Sequence, residues 1–198
     1  MTHPQGTSAE RVRGWLQASL ELQARLLDEQ APVIARIADA ISDALRAGGK
    51  LLLFGNGGSA ADAQHVAAEF VSRFKLERPA LPAIALTTDT SILTAIGNDY
   101  HFDRVFARQV QALARPGDVA VGISTSGNSP DVLNGLVAAH ECGARTIGFT
   151  GQRGGRLRDL ADLCFYAPSE DTALIQQAHI AAWHAICLVV EQDLTPQE

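Results

Sequence analysis

Leu51-Leu-Leu-Phe-Gly-Asn-Gly-Gly-Ser-Ala60 is the stretch that decides the fold. Four apolar residues run into a glycine-rich turn, and a helical pattern follows. An unbroken apolar run, rather than an alternating one, suits a strand covered on both faces. Similar short runs mark Lys50–Phe54, Ala83–Leu86, Val119–Ile123, Thr146–Phe149 and Leu163–Tyr166. Helix-like segments lie between them near 59–75, 90–113, 129–142 and 154–161, and a last helix is expected from about Asp171 to Gln192. Strand and helix alternating in this way predict an α/β fold: a doubly wound, five-stranded parallel sheet flanked by helices. Ligands of such sheets sit beyond the C-terminal strand ends, so chemistry is sought just after each apolar run.

Upstream of the first strand, apolar residues at Val12, Trp15, Leu16, Leu20, Leu22, Leu26 and Leu27 follow a helical period. Pro32 is expected to restart the chain, and Val33 to Leu45 continue as a second helix that stops at Ala47-Gly48-Gly49. The organisation expected is one domain over 1–198, with an N-terminal helical pair at 8–47 and an α/β core at 50–194.

The 198 residues carry 16 Lys+Arg against 22 Asp+Glu, a net charge of −6. Apolar residues make up 46 %, the share of a folded protein rather than a disordered one. The acidic balance disfavours nucleic acid as the main partner, because phosphate backbones need clustered positive charge. Lys50 and Lys75 are the only lysines, so an imine mechanism has two candidate nucleophiles. The N-terminal stretch has no basic start followed by an apolar run, and no apolar stretch approaches the roughly 20 residues that span a bilayer. Cys142, Cys164 and Cys187 form no C-x-x-C pair, so buried, reduced thiols are expected. A cytoplasmic protein with no membrane partner follows as the expectation.

Three motifs carry chemistry. After the first strand, Gly55, Gly57 and Ala60 satisfy G-x-G-x-x-A, the dinucleotide pattern. That reading expects an acidic residue about 20 positions on. The available one, Asp89, lies much further along. His65 and Glu69 follow on the helix four residues apart and share a face, a spacing that chelates a metal or pairs an acid with a base. After the third strand, Ser124-Thr-Ser-Gly-Asn-Ser129 precedes Pro130. Hydroxyls at a helix N-terminus suit an anion, with Ser129 as N-cap and Pro130 in the first helical position. No lysine is present, so this is not a Walker P-loop; it suits a phosphate monoester held mainly by neutral donors. Asp131 argues mildly against this. In the last helix, Gln176 and Gln177 precede His184 by eight and seven residues. Gln177 is the better aligned, and Gln176 lies roughly 80° around the axis at about 100° per residue. In isolation His184 equally suits a satisfied core residue.

Five stretches together resemble the SIS-type sugar-phosphate isomerases. They are Gly55 to Glu69, Arg78 to Leu86, Leu93 to Asp99, Gly122 to Ser129 and Ile175 to His184, within a likeness that runs from about Leu51 to Leu194. The resemblance implies an aldose–ketose isomerase converting sedoheptulose 7-phosphate to D-glycero-D-manno-heptose 7-phosphate through an enediol(ate). That reaction begins nucleotide-activated heptose biosynthesis for glycans such as lipopolysaccharide. Implied roles follow from matching positions. Glu69 is the catalytic base and His184 its acid partner. Asn56, Gly57 and Gly58 line the sugar site, and Asn98 and Asp99 contact substrate. Ser124, Thr125, Ser126 and Ser129 hold the phosphate. His65, Glu69, Gln176 and His184 gather around one zinc ion per subunit, Gln176 rather than Gln177 matching the family position. Gln177 stands where a typical member has Glu. Homotetramers with sites at subunit contacts are also implied. A related branch of the fold, a non-catalytic regulator that binds the DnaA replication initiator, shares the Arg78 and Ser124 stretches. It lacks a complete constellation at the position of His184, so the presence of both Glu69 and His184 favours the enzyme.

Overall fold

A computed structural model describes residues 6–195. The first five and last three residues of the expected 1–198 unit lie outside them. Five strands form one sheet: β1 (Leu51–Gly55), β2 (Ala83–Ala85), β3 (Val119–Ile123), β4 (Arg145–Gly151) and β5 (Leu163–Ala167). The order is β2-β1-β3-β4-β5, and every pairing is parallel. Six α-helices surround it: α1 (Ser8–Arg46), α2 (Gly58–Val71), α3 (Thr90–Asp99), α4 (Val105–Leu113), α5 (Pro130–Glu141) and α6 (Thr172–Leu194).

Covered strands give two cores. Leu51, Leu53, Val119, Val121, Ile147, Phe149 and Phe165 face one side, where α1, α2 and α6 pack. Leu52, Phe54 and Ala120 face the other, under α4 and α5. Trp183 is the largest fully buried side chain, and its ring stacks on Phe149 with centroids 4.7 Å apart. It fixes α6 on the sheet.

The expected N-terminal pair is a single helix of 39 residues, with Pro32 inside it. Proline's fixed φ is compatible with a helix; what it removes is one N–H bond and some clearance, a cost of about 3 kcal/mol. The burial of Leu22, Leu26, Ile37, Ile41 and Leu45 along one face offsets that cost on both sides of Pro32. A reciprocal capping box of Thr7 and Glu10 starts the helix.

Other expectations also shift. Segment 90–113 divides into α3, a 3-10 turn at Phe102–Arg104 and α4; segment 154–161 is a 3-10 helix, Gly155–Asp159. Ser129 occupies the N-cap position of α5, but its hydroxyl makes no capping bond. Cys187 is buried as expected, whereas Cys142 and Cys164 are only partly so; all three are free thiols. Burial pushes Cys164 up to about 11 and Cys187 to about 12. The expectation that no segment has spanning length and composition is corrected by α6, whose 23 residues reach a mean hydropathy of 1.5 over an 18-residue window. Its apolar faces are committed to α1, α2 and the sheet, so α6 is a core helix.

Candidate active site

Two loops at the C-terminal edge of the sheet and two helices leaving it build the site. β1 ends at Gly55, and Asn56, Gly57 and Gly58 turn the chain into α2 at the sheet edge, all three exposed. Asn56 Nδ2 donates to Asp131 Oδ1 at 3.0 Å, tying this loop to the start of α5. Asp131 is almost wholly buried, and burial raises its carboxyl pKa. Only Oδ1 is bonded, since Oδ2 is buried without a partner among the described residues, and the raised pKa favours the uncharged acid, which weakens the objection it posed to an anion nearby.

The principal cluster lies about 10 Å further along α2, the rise of seven residues from Gly58 to His65. His65 Nε2 is 3.2 Å from His184 Nε2 and 3.2 Å from Glu69 Oε1. One ligand atom from each of the three residues lies within 4.8 Å of the others. Helix α2 supplies His65 and Glu69 from one face, and α6 presents His184 across from them. The Phe74 ring packs 5.5 Å from the His184 ring and walls the cluster. His65 is half exposed, so one side of the cluster is open.

Three electron-pair donors therefore converge, and one N–H on His65 can serve only one of its two neighbours. A cation at the centre satisfies all three. Tetrahedral nitrogen and oxygen ligands bonded at about 2.0–2.1 Å stand about 3.3 Å apart, close to the two separations seen. The donor set fits a divalent metal ion.

Gln176 does not visibly complete the trio. Its amide lies against Gly58, where an added Cβ would collide with it. Gln177 instead accepts from Ser19 Oγ at 2.8 Å and fastens α6 to α1. Asn98 and Asp99 end α3 on the surface, bonded to each other at 2.9 Å. Among the described residues no hydrogen bond brings them to the trio or to the serine loop.

The serine loop is tightly wound. Ser124 Oγ contacts Ser129 Oγ at 2.9 Å and Ser126 Oγ at 3.4 Å, and the Asn128 N–H donates to Ser126 Oγ at 3.2 Å. Gly127 takes a φ of +66° and lies so close to the Gly154 carbonyl that no side chain fits. Thr125 and Ser126 open onto a cavity of about 290 Å³. Gln152, Arg153, Ser169, Glu170 and Thr172 also line it, together with Gly151 and Ile175. Sequence reasoning missed the first five. The rule that ligands gather at strand ends pointed to the loops after β4 and β5, but no local motif marked them. Arg153 forms a two-pronged ion pair with Glu170 at 2.6 and 2.8 Å, so a guanidinium stands beside a loop whose own donors are neutral.

A profile for the SIS domain matches residues 14–151. A phosphoheptose isomerase of Roseiflexus sp. is 56 % identical over 194 residues, covering 98 % of this chain and 98 % of its own. A solved phosphoheptose isomerase of Neisseria gonorrhoeae superposes with a TM-score of 0.89 at 44 % identity, over 94 % of this chain and all of that one. One from Francisella tularensis gives 0.91 at 36 % identity with the same coverage. With the parallel sheet, the serine loop and the His–Glu–His trio in place, this chain belongs to the phosphoheptose isomerase family of SIS-domain proteins.

Proposed function

We propose that the chain interconverts sedoheptulose 7-phosphate and D-glycero-D-manno-heptose 7-phosphate by proton transfer. The observation that carries this is the convergence of His65, Glu69 and His184. Glu69 Oε1 faces His65, which leaves Oε2 to take a proton from C1 of the ketose. His184 gives a proton to the C2 oxygen as the enediol forms, then takes one from the C1 oxygen. Glu69 returns its proton to C2, and the aldose results with no atom gained or lost. A single carboxylate serves both carbons because they are adjacent.

Binding positions those carbons. Ser124, Thr125, Ser126 and Ser129, with the start of α5, hold the phosphate through hydroxyls and backbone N–H groups. Ser129 does not cap α5, and the start of that helix beside the loop hydroxyls suits an anion. Asn56, Gly57 and Gly58 line the sugar, with Gln176 packed against them; Asn98 and Asp99 contact substrate from α3. Anchoring the far end of the substrate turns the proton transfer into an effectively intramolecular step.

Zinc is the metal that best suits the trio and would be held by His65, Glu69 and His184; Gln176, the fourth ligand that the resemblance implies, would have to turn away from Gly58 to join them. Bound there, it would supply Lewis-acid stabilisation of negative charge on the substrate oxygens. A homotetramer in the cytoplasm, feeding heptose to surface glycans, completes the reading. Incubation of the purified protein with sedoheptulose 7-phosphate is the test. The aldose is expected by NMR; no aldose with or without added zinc sinks the proposal.

A further inference from the structure

One buried carboxylate holds the loop after α2. Glu191 on α6 accepts the backbone N–H groups of Phe74, Lys75 and Leu76 at 2.9, 2.7 and 2.9 Å. Its Oε1 lies 3.2 Å from Arg78 Nε, with both side chains at most 2 % exposed. Arg78 in turn spans the end of α2. Nη2 donates to the carbonyl of Glu69 at 2.8 Å, and Nη1 to the carbonyls of Phe70 at 2.9 Å and Pro79 at 3.0 Å. The last carbonyls of a helix have no partner within it and favour a cation, and the guanidinium meets both needs.

This network reaches the reactive trio from two directions. Arg78 grips the main chain of Glu69 itself. Glu191 follows His184 on α6 by seven residues, so the two share a face. Glu191 also fixes the N–H of Phe74, whose ring lies against His184. Buried ion pairs are poor stabilisers, since well-packed apolar residues often do as well or better. What such a pair supplies here is a single geometry: a guanidinium that bonds three carbonyls and pairs with one carboxylate, and a carboxylate that accepts three N–H groups.

We propose that Arg78 and Glu191 are positioning residues that lock α2 against α6 so that His65, Glu69 and His184 converge. The proposal rests on reading that trio as the reactive, metal-binding centre. Neither residue touches substrate. Their effect passes through helix placement, as with outer partners that orient metal ligands.

Glu191→Gln and Arg78→Lys test it. The first keeps size but turns one acceptor into a donor facing backbone N–H groups. The second keeps charge but loses the fork. Asp118→Asn is the control. Asp118 is likewise a buried carboxylate that pairs with a cation, the partly buried Lys50, and accepts the N–H groups of Lys50 and Arg115, but at the opposite edge of the sheet. Zinc affinity by calorimetry, kcat, KM and Tm are measured on each folded protein. Glu191→Gln is expected to weaken zinc binding about 10–100-fold and to lower kcat about tenfold or more, with KM little changed. Asp118→Asn is expected to lower Tm while zinc affinity and kcat stay within about twofold. If Arg78→Lys does not fold, Glu191→Gln decides alone. Zinc affinity and kcat retained in Glu191→Gln, with only Tm reduced, overturn the proposal. An inactive wild type that binds no zinc overturns the reading of the trio and the proposal with it.

Discussion

His179 lies on α6 between two chemically active neighbours, Gln176 and His184, yet it belongs to the core. Its ring meets Phe149 and Phe165 edge-on, and Nε2 donates to the Thr150 carbonyl at 3.1 Å. Nδ1 has no partner. Burial lowers the ring's pKa from 6.5 to about 4. The unfolded chain therefore binds the proton first as pH falls. The contribution of neutral His179 is complete above about pH 6.5 and is lost progressively down to about pH 4, a total of roughly 3 kcal/mol. Tm measured by calorimetry should drop through that window, and His179→Gln, which keeps a donor for Thr150, should drop less steeply. Parallel curves would show that other groups carry the acid sensitivity. The same scale explains why residue roles were only partly legible. The spacing His65 to Glu69 guaranteed a shared face, and the structure brings His184 to it, as the resemblance implied. Serine 129 read as a cap from its position, but the Ser124 hydroxyl competes for it. Gln177 had the better phase toward His184, but Ser19, distant in sequence, takes it.

At the scale of elements, the strands were the most legible parts. Leu51 to Phe54 and Val119 to Ile123 are apolar without alternation, and covered strands have that composition because both faces need it. Helix ends were less legible because distant groups set them. The pattern after β1 predicts a helix reaching 75, but α2 stops at Val71. Glu191, more than a hundred residues away, takes the amides of Phe74, Lys75 and Leu76 out of the helix. Nothing within 59–75 encodes that. Pro32 shows the reverse case. A local breaker was read as a boundary, and tertiary burial of Leu26 and Ile37 on α6 and the sheet carried the helix through it. Cavity-lining Arg153 and Glu170 were invisible for a third reason: they sit in loops whose meeting depends on the order of β4 and β5.

Over the whole molecule, one surface lacks a partner within the chain. Val12, Leu16, Leu20 and Leu27 of α1 are 58, 57, 65 and 73 % exposed, along one face of the helix, and Trp15 borders them. Helix α3 likewise has no buried residue. An apolar stripe of this kind is costly in water and suits self-association. Sedimentation should find the wild type as a tetramer, and Leu20→Glu should shift it to smaller species; a monomeric wild type would refute the assembly. The negative balance of the chain also has a structural context now. In the proposed reading, phosphate is held by one hydroxyl-rich loop and a helix start, with Arg153 at the rim, so no basic face is required. The central claim is that Glu69 moves the proton between carbons, and the kcat of Glu69→Gln on sedoheptulose 7-phosphate tests it most directly. The account predicts a loss of about 10²–10⁴-fold with the fold unchanged by circular dichroism. A Glu69→Gln protein turning over at the wild-type rate would contradict it.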